Sequence, residues 1–376
     1  MTYASRVNRR EFVRTTAATA AGALIAGSAV SVPGRIVGAF AEEVPAEVKN
    51  TRSYNPGMEY RKLGKTGLWV SAVCLGGHWK RVDKVIKAAG AINPYAGPEE
   101  RADMTVFLQN RKAVVDHCIE VGINLIDFAG DAEPETYCKV LEGRREKMYF
   151  AYSHPASELR VPENRTAKKL VELFEAGLKR CNIEYADIWR LMALERGGSH
   201  SQADVDAMIE ALDIARKKGL CRYTGFSTHD RKWAKMLIET YPDVIQMLCT
   251  PYTANSRELP EDSLFDAVRK HDVGILGIKP FASNAIFKGD GSADSEFVKE
   301  DNRRARMTIR YILGNECITA PIPGMISPAQ VDNMVAAIQQ RRSLDDEERA
   351  ELEILGEEMW ARLPANYQWL KEWKYV

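Results

Sequence analysis

Residues 148–191 read MYFAYSHPASELRVPENRTAKKLVELFEAGLKRCNIEYADIWRL. A short apolar run, Met148 to Ala151, precedes a segment whose Leu170, Val171, Phe174 and Leu178 share one face of a helix over 166–181. A second run, Asp187 to Leu191, closes the stretch. Strand, helix and strand in one such span make a βαβ unit. Its strands run parallel, because the helix carries the chain back across the sheet.

The same alternation extends in both directions. Strands are expected at Val70–Leu75, Asn124–Asp127, Arg222–Phe226, Val244–Met247, Val273–Ile278 and Ile318–Ile322. Helices are expected at about 111–121, 135–142, 202–218, 230–240, 261–270, 301–313 and 327–340. Eight strand–helix units favour a closed α/β (β/α)8 TIM barrel. A doubly wound open sheet would want a G-x-G-x-x-G turn after its first strand, and none is present. Before the barrel, residues 58–73 read as a β-hairpin turning over Gly64-Lys65-Thr66-Gly67. A charged amphipathic helix follows at 345–360, and the aromatic tail PANYQWLKEWKYV ends the chain. That tail has a choice between covering a barrel mouth, meeting a partner and packing on an outer helix. Residues 79–110, including NPYAGPEE, form a long segment on the same side as the strand ends, either a lid or a surface insertion.

The formal charge of the 376-residue chain is zero, which gives no electrostatic footprint for nucleic acid. The first 41 residues are different in kind. Arg9-Arg10-Glu11-Phe12 precedes the run TTAATAAGALIAGSAVSV, and Ala39-Phe40-Ala41 offers a small-residue cleavage site. The run is too short and too rich in Ala and Gly for a comfortable membrane span. The paired arginines resemble the twin-arginine export signal. The expected domains are therefore a signal peptide at 1–41, a polar linker at 42–57 and the barrel at 58–376. The twin-arginine machinery is then a partner, and the folded chain is exported to the periplasm or beyond, often with a cofactor already loaded. The seven cysteines (74, 118, 138, 181, 221, 249, 317) show no C-x-x-C spacing and read as buried free thiols.

Barrel chemistry sits at the C-terminal strand ends. Those ends carry Gly77-His78-Trp79, Asp127, Ser153-His154, Met192 to Glu195, Ser227-Thr228-His229, Gln246 and Tyr252, Lys279-Pro280 and Pro323-Gly324. Asp127 closes a buried apolar strand, and an unpaired buried carboxylate is costly. It therefore needs a partner, with Ser153, His154 or a bound ligand as the choices.

These strand ends resemble the aldo-keto reductases. MEYRKLGKTGLWVSAVCLGG (58–77) is similar to the family's opening, and GINLIDFA, RREKMYFAYS and NIEYADIWRLMAL to its second, third and fourth strands. RYTGFSTHD, GILGIKPFA and IPGMISPAQV resemble the fifth, seventh and eighth. The resemblance implies NAD(P)-dependent oxidoreduction by a Tyr, Lys, Asp and His at the barrel mouth. Carried over by position, Asp127 matches the Asp, but the Tyr, Lys and His positions hold Ala132, Ser153 and Met192. Methionine cannot donate the carbonyl hydrogen bond, and serine supplies no positive charge. His154, Tyr137 and Glu195 are the conceivable substitutes, Asp127 and His154 being taken as the catalytic pair. For the nucleotide the resemblance implies Gly76, Gly77, Ser227, Gln246, Lys279, Pro280, Gly324, Ser327 and Gln330, with backbone N–H groups at a helix start suited to phosphate. Thr228 replaces the usual Asn, and Asn333 comes one residue early. The residues that usually hold a 2′-phosphate are absent, so NAD and NADP both stay open. A cysteine-rich C-terminal extension carried by one branch of the family is missing, so no iron–sulfur cluster is expected.

Three functions follow. The first is a divergent oxidoreductase holding its nucleotide tightly and acting on a carbonyl or alcohol, sugar-type molecules included. The second is a pseudoenzyme that kept the barrel to bind a ligand or partner. The third is new chemistry around a metal held by His78, His154, His229 and nearby acids, with only strand-end placement behind it.

Overall fold

The computed structural model describes residues 35–37, 44–86 and 104–376. The segment 87–103, which holds NPYAGPEE, lies outside the described residues, as does most of the expected leader. Three residues of the segment expected to be a leader, Arg35–Val37 (β1), pair antiparallel with Glu59–Lys62 (β2), which pairs in turn with Trp69–Ser71 (β3). The expected hairpin is therefore present, with its turn at Gly64–Thr66 and Gly67 left-handed.

The barrel strands follow: Leu75–Gly76 (β4), Leu125–Asp127 (β5), Tyr149–Tyr152 (β6), Ala186–Met192 (β7), Cys221–Ser227 (β8), Met247–Pro251 (β9), Gly274–Ile278 (β10) and Ala320–Pro321 (β11). They hydrogen-bond in sequence order, all parallel. The Cys74 and Gly76 amides donate to the Pro321 and Pro323 carbonyls at 3.0 and 2.8 Å, joining last strand to first and closing the barrel. The expected first strand over 70–75 is in fact two: its start belongs to the hairpin and its end to the barrel.

The helices are Ala46–Lys49 (α1), Met104–Val121 (α2), Glu133–Val140 (α3), Ala167–Arg180 (α4), Gln202–Lys217 (α5), Arg231–Thr240 (α6), Leu264–His271 (α7), Val298–Leu313 (α8), Pro328–Gln339 (α9) and Asp346–Ala361 (α10). Local chemistry starts them where polar caps stand. Ser201 with Asp204, Ser263 with Asp266 and Asp345 with Glu348 form capping boxes, and Asp230 and Ser327 each accept an amide of the first turn. None of the helices among the described residues is long and apolar enough to cross a membrane.

Two apolar layers result. One lies between sheet and helices. The other fills the barrel's interior with Leu125, Ile188, Met247, Cys249 and Leu276, and is plugged from below by Leu63, Leu68 and Val70 of the hairpin. Gly64 sits so close to the start of β10 that a Cβ would lie 2.3 Å from the Gly274 nitrogen, so this turn needs glycine.

The expected linker is not a free tether. Val48 is fully buried, and Arg52 reaches under the sheet to the Met148 carbonyl at 2.7 Å and Asp187 at 2.9 Å. Polar composition misled here because these side chains pair with the barrel floor. The long segment after β4 is also shorter than expected, since α2 already begins at Met104.

Candidate active site at the barrel mouth

Side chains alternate along each strand, so Asp127, Arg190 and Ser227 all point into the barrel above its apolar filling. Asp127 pairs with Arg190, Oδ1 lying 2.6 Å from Nε, and neither of the expected protein partners, Ser153 or His154, takes that place. The contact is an ion pair rather than an aligned hydrogen bond. Arg190 also donates to Ser227 Oγ at 2.7 Å and to the Phe128 carbonyl. Burial pushes the Asp127 carboxyl up to about 6, against the pull of Arg190 and with a further upward push from Glu133, so it stays ionised at neutral pH. The signal for Arg190 was present: an arginine in the middle of a fully buried strand, two residues before Met192, must face an acid.

The positions of the absent Lys and His are occupied by a second buried network. Glu158 accepts four hydrogen bonds: from Ser153 Oγ and the Met192 amide at 2.7 Å, the His154 amide at 3.1 Å and Trp189 Nε1 at 3.2 Å. Ser153 is thereby sealed in the interior. His154 turns away, its ring beside Ser157 and Asp131, and is not among the residues lining the mouth. Four donors on one carboxylate leave no room for an amide. Glu158→Gln is expected to lose about 1–3 kcal/mol in urea unfolding, because one of its new N–H groups must face a donor.

A third acid stands where the absent Tyr loop shortens. Glu133, fully buried, accepts from the Ala129 amide at 2.6 Å and pairs with His78 Nδ1. Gly77 is required beside it, since a Cβ there would lie 2.2 Å from Glu133 Oε2. Tyr137 does not fold inward. It is buried against Phe128 and donates to the Gly77 carbonyl at 3.0 Å.

The mouth is a cavity of about 240 Å³. Gly76, Gly77, Asp127, Ser227, Lys279, Pro280 and Gly324 line it, together with Met192 and Glu195. His229 is half-buried in its wall, and desolvation, then Lys279 and Arg160, hold its imidazole well below the usual value, hence neutral. Its ring stacks on Trp369 at 3.9 Å. A second cavity of about 460 Å³ continues past Gly324 to Ser327 and Gln330 at the start of α9. Lys80, Phe281, Asn284, Pro323 and Gly324 line both. Gln246 lines neither. Turns after α6 use up Val244 and Ile245, so β9 starts only at Met247 and Gln246 lies at the closed end of the barrel, bonded to Thr224. Thr228 binds the Leu194 carbonyl, and Asn333 receives Arg306. Among the described residues no three His, Cys, Asp or Glu side chains converge as metal ligands.

The C-terminal tail covers this mouth. Residues Ala365–Lys374 form a 3-10 helix, and Trp373 is buried with Nε1 donating to the His229 carbonyl at 3.0 Å. Tyr367 enters the cavity wall between Lys80, whose Nζ lies 3.2 Å from its Oη, and Lys279, whose Nζ lies 5.3 Å from its ring centre. Nothing in the sequence pattern singled out Tyr367, because its distance along the chain from the strand ends hides its place in space.

The parallel barrel has known counterparts. L-galactose dehydrogenase from Arabidopsis thaliana is 24% identical over 326 residues, covering 80% of this chain and 95% of that protein. The aldo-keto reductase AKR11C1 from Bacillus halodurans superposes in its holo form with a TM-score of 0.55, at 20% identity over 79% of this chain and 96% of its own. Its apo form gives a TM-score of 0.54. The model of the aldo/keto reductase family matches residues 103–357, from the helix after the first barrel strand to the helix before the tail. By that match, spanning well over half its length, the chain belongs to the aldo/keto reductase family.

Proposed function

We propose that the mouth and the groove behind it bind a nicotinamide dinucleotide and interconvert an alcohol and a carbonyl on a small polyhydroxylated substrate. The observation that carries this reading is the continuity of the two cavities through Lys80, Phe281, Asn284, Pro323 and Gly324. The groove walls fit such a group. Gly324 leaves space that a Cβ would close to 2.8 Å from the His78 carbonyl. The outer chamber combines the start of α9 with the cations Lys80, Arg81 and Lys84, a setting suited to a pyrophosphate. Ser327 and Gln330 contribute as the cap of that helix rather than through free side chains, since Ser327 accepts the Gln330 amide and Gln330 Oε1 the Ile326 amide.

When bound, the dinucleotide would supply or accept hydride. The chain's own part is to hold the substrate over Asp127, Arg190 and Met192, to keep water out beneath the tail, and to handle a proton at the mouth. A relative that is named for L-galactose supports a hexose-like substrate, and the polar wall of His78, Glu195 and His229 accords with one. Binding of NADH and NADPH by fluorescence quenching, with L-galactose oxidation under NAD+ or NADP+, tests the reading. No binding of either nucleotide would sink it.

A second reading has one observation in its favour. Glu158 ties Ser153 and the Met192 backbone into the interior, so those two family positions are now structural. A barrel kept for binding alone is the pseudoenzyme alternative, and any turnover abolished by a mouth substitution would count against it. The Arg9-Arg10 leader adds the proposal that the folded chain is exported with nucleotide in place. Nucleotide released by denaturing the exported protein is the expected result.

A further inference from the structure

We propose that Tyr367, delivered over the barrel mouth by the C-terminal tail and flanked by Lys80 and Lys279, is the phenolic proton donor and acceptor of the reaction. The inference rests on the oxidoreductase reading above and assigns its acid–base residue. Three independent features carry it.

The first is position. Tyr367 lines the same cavity as Asp127, Met192, Ser227 and Ile278, although it lies far from them in sequence. The second is the tail's anchorage, which makes this position part of the fold. The Arg257 amide donates to the Lys374 carbonyl at 2.7 Å, and the Leu259 amide to the Val376 carbonyl at 2.8 Å. Ser256 and Ser263 hydroxyls hold the Trp373 and Val376 carbonyls, each at 2.8 Å. The third is charge. Lys80 donates to Tyr367 Oη at 3.2 Å, and the ammonium groups of Lys80 and Lys279 lie 5.6 and 5.3 Å from its ring centre. Among the described residues no carboxylate lies within ion-pair distance of either lysine, and both stand beside the phenol in the cavity wall. Lys279 itself is held in the left-handed region at φ 59°, in a loop where Ala282, Ser283 and Asn284 are left-handed as well. Strain of this kind persists where surrounding structure enforces it, commonly at active sites.

The other ionisable groups at this wall do not offset the two lysines. Asp127 and Arg190 neutralise each other, and Arg160 lies 3.7 Å from Glu195. His229 is neutral beneath Trp369, and Ser283 offers a hydroxyl. Burial alone would raise the Tyr367 phenol, but Lys279 and then Lys80, with the Ser283 hydrogen bond, bring it down to about 8. An acid–base group works best with its pKa near the working pH.

In the reductive direction the carbonyl carbon accepts hydride with its electron pair and the C=O π bond breaks. The alkoxide oxygen takes the proton from Tyr367 Oη, and solvent returns a proton to the phenolate. The dinucleotide is oxidised as the carbonyl is reduced. Oxidation of an alcohol runs the same steps backwards, with the phenolate as base.

The test uses the full chain labelled with tyrosine carrying carbon-13 at Cζ, followed by NMR against pH. Tyr367→Phe assigns the resonance. A phenol titrating near 8 is expected, moving up towards 10 in Lys80→Met and in Lys279→Met. Titration at the ordinary value in the wild type overturns the proposal. Turnover is read with 4-nitrobenzaldehyde and with L-galactose. Tyr367→Phe is expected to lower kcat roughly 10²–10⁴-fold while leaving nucleotide affinity within about twofold. It should also remove the pH-rate limb near 8. Wild-type turnover in that variant, or nucleotide binding with no turnover of either substrate in the wild type, overturns it. Failure of the wild type to bind NADH or NADPH removes the oxidoreductase reading instead, and this role with it.

Discussion

Arg190→Met is expected to destabilise the barrel by about 3–5 kcal/mol at pH 7, measured by urea unfolding. The reason is the carboxylate it leaves behind. Both partners of the pair are almost wholly buried, and Asp127 would have either to hold a charge inside the barrel with no cation at 2.6 Å or to take up a proton to fold. Ser227 and the Phe128 carbonyl would lose their donor as well. The pH dependence has a definite sign. Burial already raises the Asp127 carboxyl to about 6, and Arg190 is the largest influence holding it down. Without Arg190 it rises further above its unfolded value of about 3.9. A carboxyl raised in the folded state favours folding below its unfolded pKa, and that advantage is lost as pH climbs through the folded pKa. The variant's deficit should therefore be largest at neutral pH and shrink in acid. Adding Asp127→Asn should recover much of the loss, because the double variant buries no lone charge. A deficit under about 1 kcal/mol that is flat with pH would show that the pair is not the barrel's internal electrostatic tie.

The fold was legible because helix and strand periodicities differ and the chain alternates them along most of its length. Leu170, Val171, Phe174 and Leu178 are all buried on α4, as their spacing requires. What failed was phase. A mostly apolar stretch such as Val244 to Cys249, broken only by Gln246, says that a strand is near but not where it starts. A shift of three residues moves Gln246 from mouth to floor. The Asp127 question was well posed, since a buried acid does need a partner. Its answer lay on a strand two crossovers away, and period-two alternation of Ile188, Arg190 and Met192 was the available clue. The networks around Glu158 and Glu133 were not legible. Each acid sits in a loop or first helical turn whose polarity reads as solvated until the packing is known. Tyr367 is the extreme case, because only tertiary structure brings a tail to a barrel mouth.

Trp373→Ala should release that tail while leaving the barrel folded. Trp373 is almost wholly buried, donates to the His229 carbonyl at 3.0 Å, and lies three residues beyond Leu370, which is also buried. Truncating a buried tryptophan costs about 3–5 kcal/mol, through lost burial and the cavity left behind. Here that energy falls on docking rather than on global folding. The tail is terminal, so it can detach without opening the closed sheet. A cost of that size shifts the docking equilibrium by roughly two to four powers of ten. The amides of Arg257, Leu259 and Val376, which the docked tail protects, should exchange with solvent faster by about that factor. Amides of β7 and β8, within the sheet, should keep their protection. With the tail free, Tyr367 leaves Lys80 and Lys279, so its phenol should titrate near the ordinary 10. His229 would lose the Trp369 ring over its face and become accessible to water. Slow exchange at Leu259 in this variant would mean that the tail is held by its backbone bonds alone, and Trp373 would then be filler rather than anchor.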